Sequence, residues 1–371
     1  MSTFPPTQCG IATFAHSLSG AMTGAGSVVD VVQLVQEPSF GRPDSVVHQH
    51  RISADTGRTA QVLNGYDVVV LQHEFGIYGG EDGIELLDLL SLVRVPIITV
   101  IHTVLKAPTL RQRCILQALI AASAAMVTMT NIARKNLIGH YEVSPDAVHV
   151  IPHGAPDLRR TTRFAEAFAG PRMLTWGLIS SGKGIEWGIE ALAKLSDIDP
   201  QVEYVVAGRT HPNVVAYEGE RYRESLIQLA SDLGVSHQLR LVNEYLDNEA
   251  LAALIASASI FLLPYDSKDQ VTSGVLVEAM VAGGPVIATR FPHAIEALGG
   301  GVGSLVEQKN ADEIASAVRM IHNDQEHAAH MRALTSAVSL SYLWPAVAES
   351  YLGLSHTVWS KPAHASALAI A

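Results

Sequence analysis

Cysteine is scarce in this chain of 371 residues, which contains only Cys9 and Cys114. The two lie far apart, and neither belongs to a CxxC pair or to a Cys/His spacing typical of zinc sites. Disulfide-stabilised folds and structural zinc sites need several such residues at short, regular spacings. The sequence therefore argues against a disulfide framework and against a structural zinc site.

Charged residues are also few, at 16% of the chain, and the formal net charge is −11. Because binding to a phosphate backbone needs a concentrated basic surface, we expect no nucleic-acid partner. The first ten residues lack the basic start and apolar core of a signal peptide. No uninterrupted apolar run reaches the roughly 18 residues that span a bilayer. We expect a soluble, cytoplasmic protein.

Apolar residues, by contrast, make up 48% of the chain, in short runs separated by longer amphipathic stretches. Continuous apolar strands that are each followed by a helix indicate parallel sheets covered on both faces, so the predicted fold class is α/β. The predicted strands cover residues 29–35, 67–71, 96–101, 125–129, 148–151, 173–176, 204–207, 239–242, 260–263, 285–288 and 304–306.

A polar stretch without sustained periodicity, residues 153–170, interrupts this alternation. We interpret it as the linker between two Rossmann-like domains, residues 1–165 and 170–342. A last helix, at about residues 343–356, is predicted to pack back on the first domain. Residues 357–371 are predicted to form a flexible tail.

The most informative stretch is residues 269–289, where a polar loop after a strand leads into a helix that starts near Ser273. That helix start lies at the carboxyl edge of the sheet, where α/β folds bind ligands. Free backbone N–H groups and the positive end of the helix dipole favour a phosphate. Glu278, further along the helix, can accept hydrogen bonds from sugar hydroxyls. Phosphate and hydroxyls together indicate a nucleotide sugar.

Two basic residues follow other strands of the second half. Lys183 lies between two glycines and is placed to contact a phosphate, with a solvated surface lysine as the alternative. A Walker A loop would need Ser or Thr after this lysine and a longer glycine spacing. Arg209 either makes a bidentate phosphate contact or pairs with Glu218 or Glu220.

Histidines follow two strands of the first half. His73 and Glu74 lie just beyond one strand, and Gly79 and Gly80 after them allow close backbone approach. His102 ends the next strand. A lone histidine at a strand end is more often structural, whereas two on neighbouring strands make a functional role equally plausible. A zinc site would need a third ligand, and neither HxxxH nor HxH spacing is present.

Gly10 precedes the first helix, after Pro5 and Pro6. It marks either an ordinary helix start or a position at which the backbone approaches a ligand closely. The GxGxxG fingerprint is missing, so a nicotinamide or flavin site is not supported.

Together these motifs resemble those of retaining glycosyltransferases of the GT-B fold, family 4. The resemblance covers most of the chain in family order, from PPTQCGIATFA through LQHEFGIYGG, VIPHGAPD and KGIEWGIEAL to PYDSKDQVTSGVLVEAMVAGGPVIAT and WPAVAESYLGL. It implies two Rossmann-like domains whose parallel sheets face an interdomain cleft. The first domain would bind the acceptor and the second the nucleotide-sugar donor.

The resemblance also implies roles for individual residues. Glu278 would bind the ribose hydroxyls, and Lys183 the diphosphate. His102 corresponds to the histidine near the reacting sugar, and Gly10 to a glycine loop close to the phosphates. The implied catalytic residues are His102, Lys183 and Arg209; the donor-binding residues are Gly10, Lys183, Gln270, Ser273, Gly274, Val275 and Glu278; the candidate acceptor-side residues are His73, Glu74, Gly79 and Gly80.

The chain departs from the family pattern at two positions. The family has a Glu-x7-Glu element, but Gln270 stands eight positions before Glu278, with Asp269 beside it. A neutral amide still donates and accepts hydrogen bonds, but the charged acceptor is lost. Leu178 stands where the family often has arginine, so either Arg209 substitutes or the diphosphate has one cation fewer. The chain is similar to a subgroup that carries this glutamine.

We therefore expect transfer of a hexose from a nucleotide diphosphate sugar, of the GDP-mannose or UDP-glucose type, to a saccharide or lipid-linked acceptor. The resemblance implies retention of configuration, and neither a metal nor another cofactor is expected, since no DxD motif is present. A sugar-nucleotide epimerase and a degenerate, non-catalytic binding subunit are the alternatives. Gln270 and Leu178 favour the binding subunit.

Peripheral membrane contact is a further expectation for a lipid-linked acceptor. Between residues 106 and 116, basic residues lie beside apolar ones and would form a weak amphipathic surface. An ordinary domain helix with a solvated basic face is the alternative. The residues concerned are Lys106, Arg111 and Arg113 beside Leu110, Ile115 and Leu116.

Overall fold

The structure, a computed structural model, describes residues 1–158, 170–267 and 270–360. It divides into two compact units, one of Met1–Gly154 with Ser341–Ala371 and one of Ala155–Leu340. Parallel strands alternate with helices in both units, which confirms the predicted α/β fold class. The first unit ends at Gly154, before the boundary predicted near residue 165, and residues 159–169 of the predicted linker lie outside the described residues.

The first unit combines the first part of the chain with the last helix. Its strands and helices are α1 (Gly10–Gly24), β1 (Val31–Val35), β2 (Val46–Arg51), α2 (Gly57–Leu63), β3 (Val69–His73), α3 (Leu86–Leu90), β4 (Ile97–Ile101), α4 (Leu110–Ala122), β5 (Ala125–Thr128), α5 (Asn131–Tyr141), β6 (Val148–Val150) and α14 (Trp344–Trp359).

The second unit is formed by the intervening segment. Its strands and helices are β7 (Arg172–Trp176), α6 (Ile185–Ala193), β8 (Glu203–Ala207), α7 (Pro212–Glu218), α8 (Arg221–Asp232), β9 (Leu239–Val242), α9 (Asn248–Ser257), β10 (Ile260–Leu263), α10 (Gly274–Ala282), β11 (Val286–Thr289), α11 (Pro292–Ala297), β12 (Ser304–Val306), α12 (Ala311–Asn323) and α13 (Gln325–Ser339).

The first two residues join the strands of the first unit. Strands β3, β4, β5 and β6 form one parallel sheet in this order, and β1 and β2 form a parallel pair. Between β1 and β3, the Met1 ammonium donates to Val70 O at 2.7 Å, and Ser2 N donates to Val32 O at 3.1 Å. His73, at the end of β3, therefore lies where the strand order changes direction, the usual ligand-binding position in such sheets.

The last helix completes the core of the first unit. In α14, Val347, Tyr351 and Leu354 are buried in one cluster with Phe14 and strands β4 and β5. The helix is longer than predicted, because it continues to Trp359 and buries Val358. The predicted tail thus begins too early, and residues 361–371 lie outside the described residues.

The six-stranded sheet of the second unit has the order β12-β11-β10-β7-β8-β9, with every pair parallel. Strands β7, β8 and β9 follow one another toward one edge of the sheet, and β10, β11 and β12 follow one another toward the other edge. The carboxyl ends of these two neighbouring strands therefore flank the switch point, where open α/β sheets bind ligands. Helices α6 and α12 pack together and contribute Ile189, Leu192 and Ile314 to its buried core.

Several elements do not carry the apolar signal on which the sequence analysis relied. Strand β2 reads VVHQHR and is only partly buried, so it lacks a continuous apolar run. Residues 83–93 have a helical pattern, but α3 begins only at Leu86, because Asp82 and Gly83 before it have positive φ.

Trp344 packs so close to Gly154 that no side chain fits at position 154. A Cβ on Gly154 would lie 2.2 Å from Trp344 Cε3, so either the indole or the backbone must move. We expect Gly154→Ala to lower the free energy of unfolding by about 1–3 kcal/mol, the typical cost of overpacking. Denaturant unfolding followed by tryptophan fluorescence measures the change. Gly20→Ala is the control, since a Cβ there meets nothing within 4 Å; equal stability of both variants would contradict this prediction.

Candidate functional site

The loop after β7 starts beside helix α10, which follows β10, because these two strands are neighbours in the sheet. Gly177, directly after β7, has φ +109°, and a Cβ there would lie 3.4 Å from Val275 Cγ2 in the first turn of α10. Gly208, directly after β8, approaches the same point, because its Cβ would lie 2.0 Å from Gly177 O. The loops that carry Lys183 and Arg209 therefore start beside the helix predicted to bind phosphate.

Helix α10 begins as predicted, with Ser273 as its N-cap. The Ser273 side chain accepts from Leu276 N at 3.2 Å, and Ser273 N donates to His293 Nδ1 at 2.8 Å. The Ser273 amide, predicted to hold a phosphate, is thus already bonded within the protein. In the part of the chain that the structure describes, the N–H groups of Gly274 and Val275 have no such acceptor. These two amides remain available for an anion at the positive end of the helix.

Glu278 is oriented by a residue that the sequence analysis did not identify. Trp176, the last residue of β7, donates from Nε1 to Glu278 Oε2 at 2.7 Å. The indole is buried and packs edge-on against Phe261, with ring centroids 5.4 Å apart. Burial raises the pKa of Glu278, and the hydrogen bond from Trp176 acts in the opposite direction. One carboxylate oxygen is thereby fixed, and the other can accept a hydrogen bond.

Lys183 ends a short 3-10 turn and does not lie in the helix that follows. Gly184 comes next with φ +61°, and a Cβ there would lie 2.0 Å from Pro264 O. Asp266 N donates to Gly182 O at 3.1 Å, and Trp187 Nε1 donates to Asp266 Oδ2 at 3.1 Å. The Gly-Lys-Gly loop after β7 is therefore fastened to the end of β10.

The Lys183 ammonium lies over an aromatic ring. Its Nζ is 4.2 Å from the centroid of Tyr265, which stacks on Phe291 with centroids 5.2 Å apart. A cation–π contact contributes about 0.5–2 kcal/mol and leaves the ammonium hydrogens free to bind an anion. Burial first, and then the Lys183 charge, lowers the pKa of His211. Lys183 is thus a partly buried, positioned cation, which favours the functional interpretation over a solvated surface lysine.

Arg209 differs from Lys183, because its side chain is exposed. Neither of the glutamates considered as its partners pairs with it among the described residues. Glu220 instead accepts from Thr210 Oγ1 and lies 3.5 Å from Arg223 Nε. The guanidinium of Arg209 can therefore turn toward a ligand, but nothing fixes it there.

Several buried polar atoms next to this site have no partner within the described residues. They are Tyr265 OH, Asp266 Oδ1 and Thr272 Oγ1. A buried polar group without a hydrogen bond costs about 1–3 kcal/mol, so such groups usually indicate bound water or ligand. Gln270 lies beside them and uses its amide within the loop, where Nε2 donates to Thr272 O at 3.1 Å. Asp269, the acidic residue next to Gln270, lies outside the described residues.

In the first unit, His73 and His102 lie side by side at the ends of β3 and β4. His102 N donates to His73 O at 3.1 Å, and His102 Nε2 contacts Gln72 Oε1 at 2.8 Å. Because a carbonyl oxygen only accepts, Nε2 carries the proton and Nδ1 has a free lone pair. Burial, with smaller contributions from His153 and His73, lowers the pKa of His102 to about 3. At neutral pH this ring accepts hydrogen bonds and carries no charge.

Aromatic contacts surround His102, and the sequence analysis identified none of them. Phe14 lies edge-on to His102, His153 and Trp344, with centroid distances of 5.1, 5.0 and 5.3 Å. His153 Nδ1 donates to Gly154 O at 2.7 Å, and burial lowers its pKa to about 4. His153 lies in the quoted motif VIPHGAPD, and its place three residues after β6 is the signal that would have indicated it.

Both carboxylate oxygens of Glu74 accept hydrogen bonds from the loops that follow β3 and β4. Oε1 accepts from Phe75 N at 3.0 Å, and Oε2 accepts from Thr103 Oγ1 at 2.5 Å. Burial raises its pKa, while these two hydrogen bonds lower it. Glu74 therefore braces the two histidine-bearing loops against each other.

The two glycine features predicted in the first unit differ in their surroundings. Gly10 is the exposed first residue of α1, and a Cβ there would meet nothing within 4 Å. Gly79, in contrast, lines a cavity of about 250 Å³, and a Cβ on it would lie 1.9 Å from Glu85 Oε2. Gly80, next to it, has φ +75°. Ser53 Oγ donates to Glu85 Oε1 at 2.9 Å on the wall of this cavity.

The apolar residues considered for membrane contact differ in their exposure. In α4, Ile115 and Leu116 are fully buried, whereas Leu110 is 85% exposed. Arg113 donates to His140 O at 2.6 Å, and Arg111 pairs with Glu81. Two of the three apolar residues belong to the core, which favours the ordinary domain helix of the alternative interpretation. None of the helices within the described ranges is long and apolar enough to cross a membrane, and the same residues contain no cluster of three or more metal-ligating His, Cys, Asp or Glu side chains.

Comparison with solved structures agrees with the GT-B fold. A glycosyltransferase from Rickettsia africae ESF-5 superposes with a TM-score of 0.78 at 13% identity, covering 97% of this chain and 98% of that one. Anabaena HepE, solved with UDP and glucose, gives 0.73 at 14% identity, with 96% and 98% covered. Sucrose-phosphate synthase from Thermosynechococcus elongatus gives 0.72 at 17% identity, with 94% and 93% covered. The fold is that of the GT-B glycosyltransferases.

Sequence comparison finds a family match that covers most of the second unit. Residues 160–335 match the model described as Glycosyl transferases group 1. D-inositol 3-phosphate glycosyltransferase of Corynebacterium diphtheriae is 26% identical over 63% of this chain and 56% of its own length. MMP alpha-(1->4)-mannosyltransferase of Mycolicibacterium hassiacum is 27% identical over 54% and 46%. The chain spans about half the length of the curated relatives it matches.

The buried, neutral histidines predict a loss of stability in acid. His73 is 1% exposed, and burial lowers its pKa to about 4, whereas an unfolded histidine titrates near 6.5. Between these values the unfolded state binds more protons, so stability falls as pH drops from 6.5 to 4. His73 accounts for about 3 kcal/mol of this loss. We expect His73→Phe to unfold at a lower pH than the His140→Gln surface control, as followed by circular dichroism. Coincident acid transitions would contradict the assignment.

Proposed function

We propose that this protein transfers a hexose from a nucleotide diphosphate sugar to a hydroxyl-bearing acceptor, a saccharide or a lipid-linked saccharide, with retention of configuration. The observation that carries the proposal is the edge of the sheet at β7 and β10, where the start of α10, with two available amides and Glu278, lies beside the first residue of the loop that carries Lys183. Amides and a cation bind the diphosphate, and a carboxylate accepts from ribose hydroxyls. A donor of the UDP-glucose or GDP-mannose type is consistent with the names of the relatives.

The proposed role of this arrangement is to stabilise the leaving diphosphate. Negative charge develops on that group as the glycosidic bond breaks, and preorganised amides and cations stabilise it without reorganising. Gly274, Val275 and Lys183 supply these groups, and Arg209 adds a second cation when it turns toward the ligand. Such charge compensation needs no metal ion, so we propose a metal-independent reaction.

The proposed role of the first unit is to position the acceptor and the reacting sugar. His102 is neutral at physiological pH, so it accepts a hydrogen bond from a hydroxyl through Nδ1 and does not donate a proton. Glu74 is buried and each of its oxygens accepts a hydrogen bond within the protein, so we assign it no nucleophilic role. Retention then follows if the leaving phosphate itself takes the acceptor proton on the same face of the sugar. Gly10, open on its outer side, allows close approach of a ligand to the start of α1.

The decisive experiment measures nucleotide release and sugar products with a panel of nucleotide sugars, with and without saccharide acceptors. Acceptor-dependent release of nucleotide supports transfer. Isomerised donor without acceptor would instead indicate an epimerase, and binding without turnover a non-catalytic subunit.

Lys183→Ala provides the corresponding site test. We expect it to weaken nucleoside diphosphate binding at least ~10-fold, since one charge-assisted contact contributes about 1.5–3 kcal/mol. Isothermal titration calorimetry measures the affinity. Lys194→Ala is the matched control, because Lys194 pairs with Asp312 on the surface. Equal affinities for both variants would remove Lys183 from the site.

The lining of the cavity beside Gly79 supports a proposal about the charge of the acceptor. Glu85 and Asp88 line it, and none of its lining residues is Lys or Arg. The Met1 amine and His50 also line it, and burial lowers the pKa of both, which favours their neutral forms. A phosphate placed there would meet like charges, unlike the acceptor named for the D-inositol 3-phosphate relatives. We therefore propose that the acceptor group bound here is an uncharged polyol or sugar.

A comparison of an uncharged acceptor with its phosphate ester tests this proposal. We expect kcat/KM to be at least ~10-fold higher for the uncharged form, equivalent to about 1.4 kcal/mol. Asp88→Asn should narrow the ratio, and Asp146→Asn, an exposed acidic residue of the same unit, should not. Preference for the phosphorylated acceptor would show that this cavity is not the acceptor subsite.

A further inference from the structure

His293 holds both ends of the loop that leads into α10. It is the second residue of α11 and is 3% exposed. Its backbone N donates to Gln270 O at 3.3 Å, and its Nδ1 accepts from Ser273 N at 2.8 Å. One buried residue thus spans residues 270–273, which we call the 270–273 loop. Because this loop ends at the first turn of α10, its conformation sets the direction of the Gly274 and Val275 amides.

Gln270 braces the same loop from inside. Its Nε2 donates to Thr272 O at 3.1 Å, which leaves Oε1 to accept from another group. A glutamate at this position has no N–H to donate and would place a negative oxygen against the Thr272 carbonyl. The amide is therefore part of the loop geometry, and a carboxylate would not support the loop in the same way.

The start of α11 is itself fixed by the aromatic group that carries Lys183. Phe291, two residues before His293, stacks on Tyr265, and Thr289 Oγ1 donates to Tyr265 O at 2.6 Å. Lys183 Nζ lies over the Tyr265 ring of this stack. The same pair of rings therefore positions both His293 and Lys183. The amides at the start of α10 and the Lys183 ammonium are thus held in a fixed arrangement.

We propose that His293 is a positioning residue for donor binding, which acts through Ser273, and that Gln270 is the second brace of the same loop. His293 does not touch the donor. It consumes the first amide of the helix start and thereby directs the next two outward. The inference rests on the proposed function for its ligand, a nucleoside diphosphate, but the hold of His293 on the loop is testable without any ligand.

Isosteric variants of His293 separate its two ring nitrogens. An asparagine Oδ1 occupies nearly the place of Nδ1, whereas a glutamine amide reaches the place of Nε2. For UDP and GDP binding by calorimetry, we expect His293→Asn to stay within ~3-fold of wild type. His293→Gln and His293→Leu should bind at least ~10-fold more weakly, since the Ser273 amide loses its acceptor. Melting temperatures are measured in parallel, and a general loss of stability would affect His293→Asn and His293→Leu alike. Unchanged affinity in His293→Leu would overturn the proposal.

Gln270 variants test the second brace. We expect Gln270→Glu, which introduces the glutamate found in the related family pattern, to weaken diphosphate binding at least ~5-fold. Gln270→Met removes the donor without adding charge and should have an intermediate effect. Equal or tighter binding by Gln270→Glu would overturn the role assigned to the amide.

Hydrogen exchange at residues 270–276 tests whether His293 holds the loop, independently of ligand binding. The Ser273 amide should be protected in wild type and His293→Asn and should exchange faster in His293→Leu. If wild type binds neither UDP nor GDP, the proposed function fails and the ligand part of this inference fails with it. Equal exchange in all three proteins would show that His293 does not hold the loop, whatever the affinities.

Discussion

The hydrogen bond from the Ser273 amide to the His293 ring fixes the start of α10, and the rest of the second unit's site is arranged around that helix start. An unconstrained helix terminus would offer several amides in no fixed direction. Here the first amide is bonded to His293, the fourth is capped by the Ser273 hydroxyl, and the two between them remain. The position of β7 beside β10 then brings Lys183 and Trp176 to the same place from the other half of the sheet.

The histidine side chains of the first unit are fixed in a different way. Its histidines are held neutral by burial among aromatic rings, with Phe14 at the centre. A neutral imidazole whose tautomer is fixed by a glutamine accepts hydrogen bonds in one direction only. Lys183 is a positioned cation in the second unit, whereas the buried histidines of the first unit are uncharged at neutral pH.

The sequence predicted the parts of this architecture that depend on local signals. Continuous apolar runs identified eleven strands that recur in the structure within a few residues, and Gly283, with φ +76°, ends α10 where the glycine pair indicated. Strand β2 was missed because its histidines and glutamine interrupt the apolar pattern. The parallel order, and hence the fold class, followed from strand–helix alternation.

The positions of Lys183 after β7 and of Glu278 in α10 could be predicted from local patterns, whereas their roles in binding stay a prediction. The site was not predictable where function depends on contacts between distant segments. Trp176 and Glu278 are 102 residues apart, and His293 contacts an amide 20 residues away in the chain. Neither pair shares a spacing or periodicity, so no local pattern could indicate them. The same limit explains why the Ser273 amide was expected to be free.

The discontinuity of the first unit has a consequence for synthesis on the ribosome. Its core closes only when Tyr351 and Leu354 of α14 pack with Phe14, yet Phe14 is translated more than 300 residues earlier. The whole second unit is made in between and can fold from its own continuous segment. Throughout that interval the face of α1 that α14 will cover stays open, and the surroundings of His153 lack Trp344. The histidine edge therefore matures last, so that an unfinished chain presents a complete sheet of the second unit before it has the finished edge of the first.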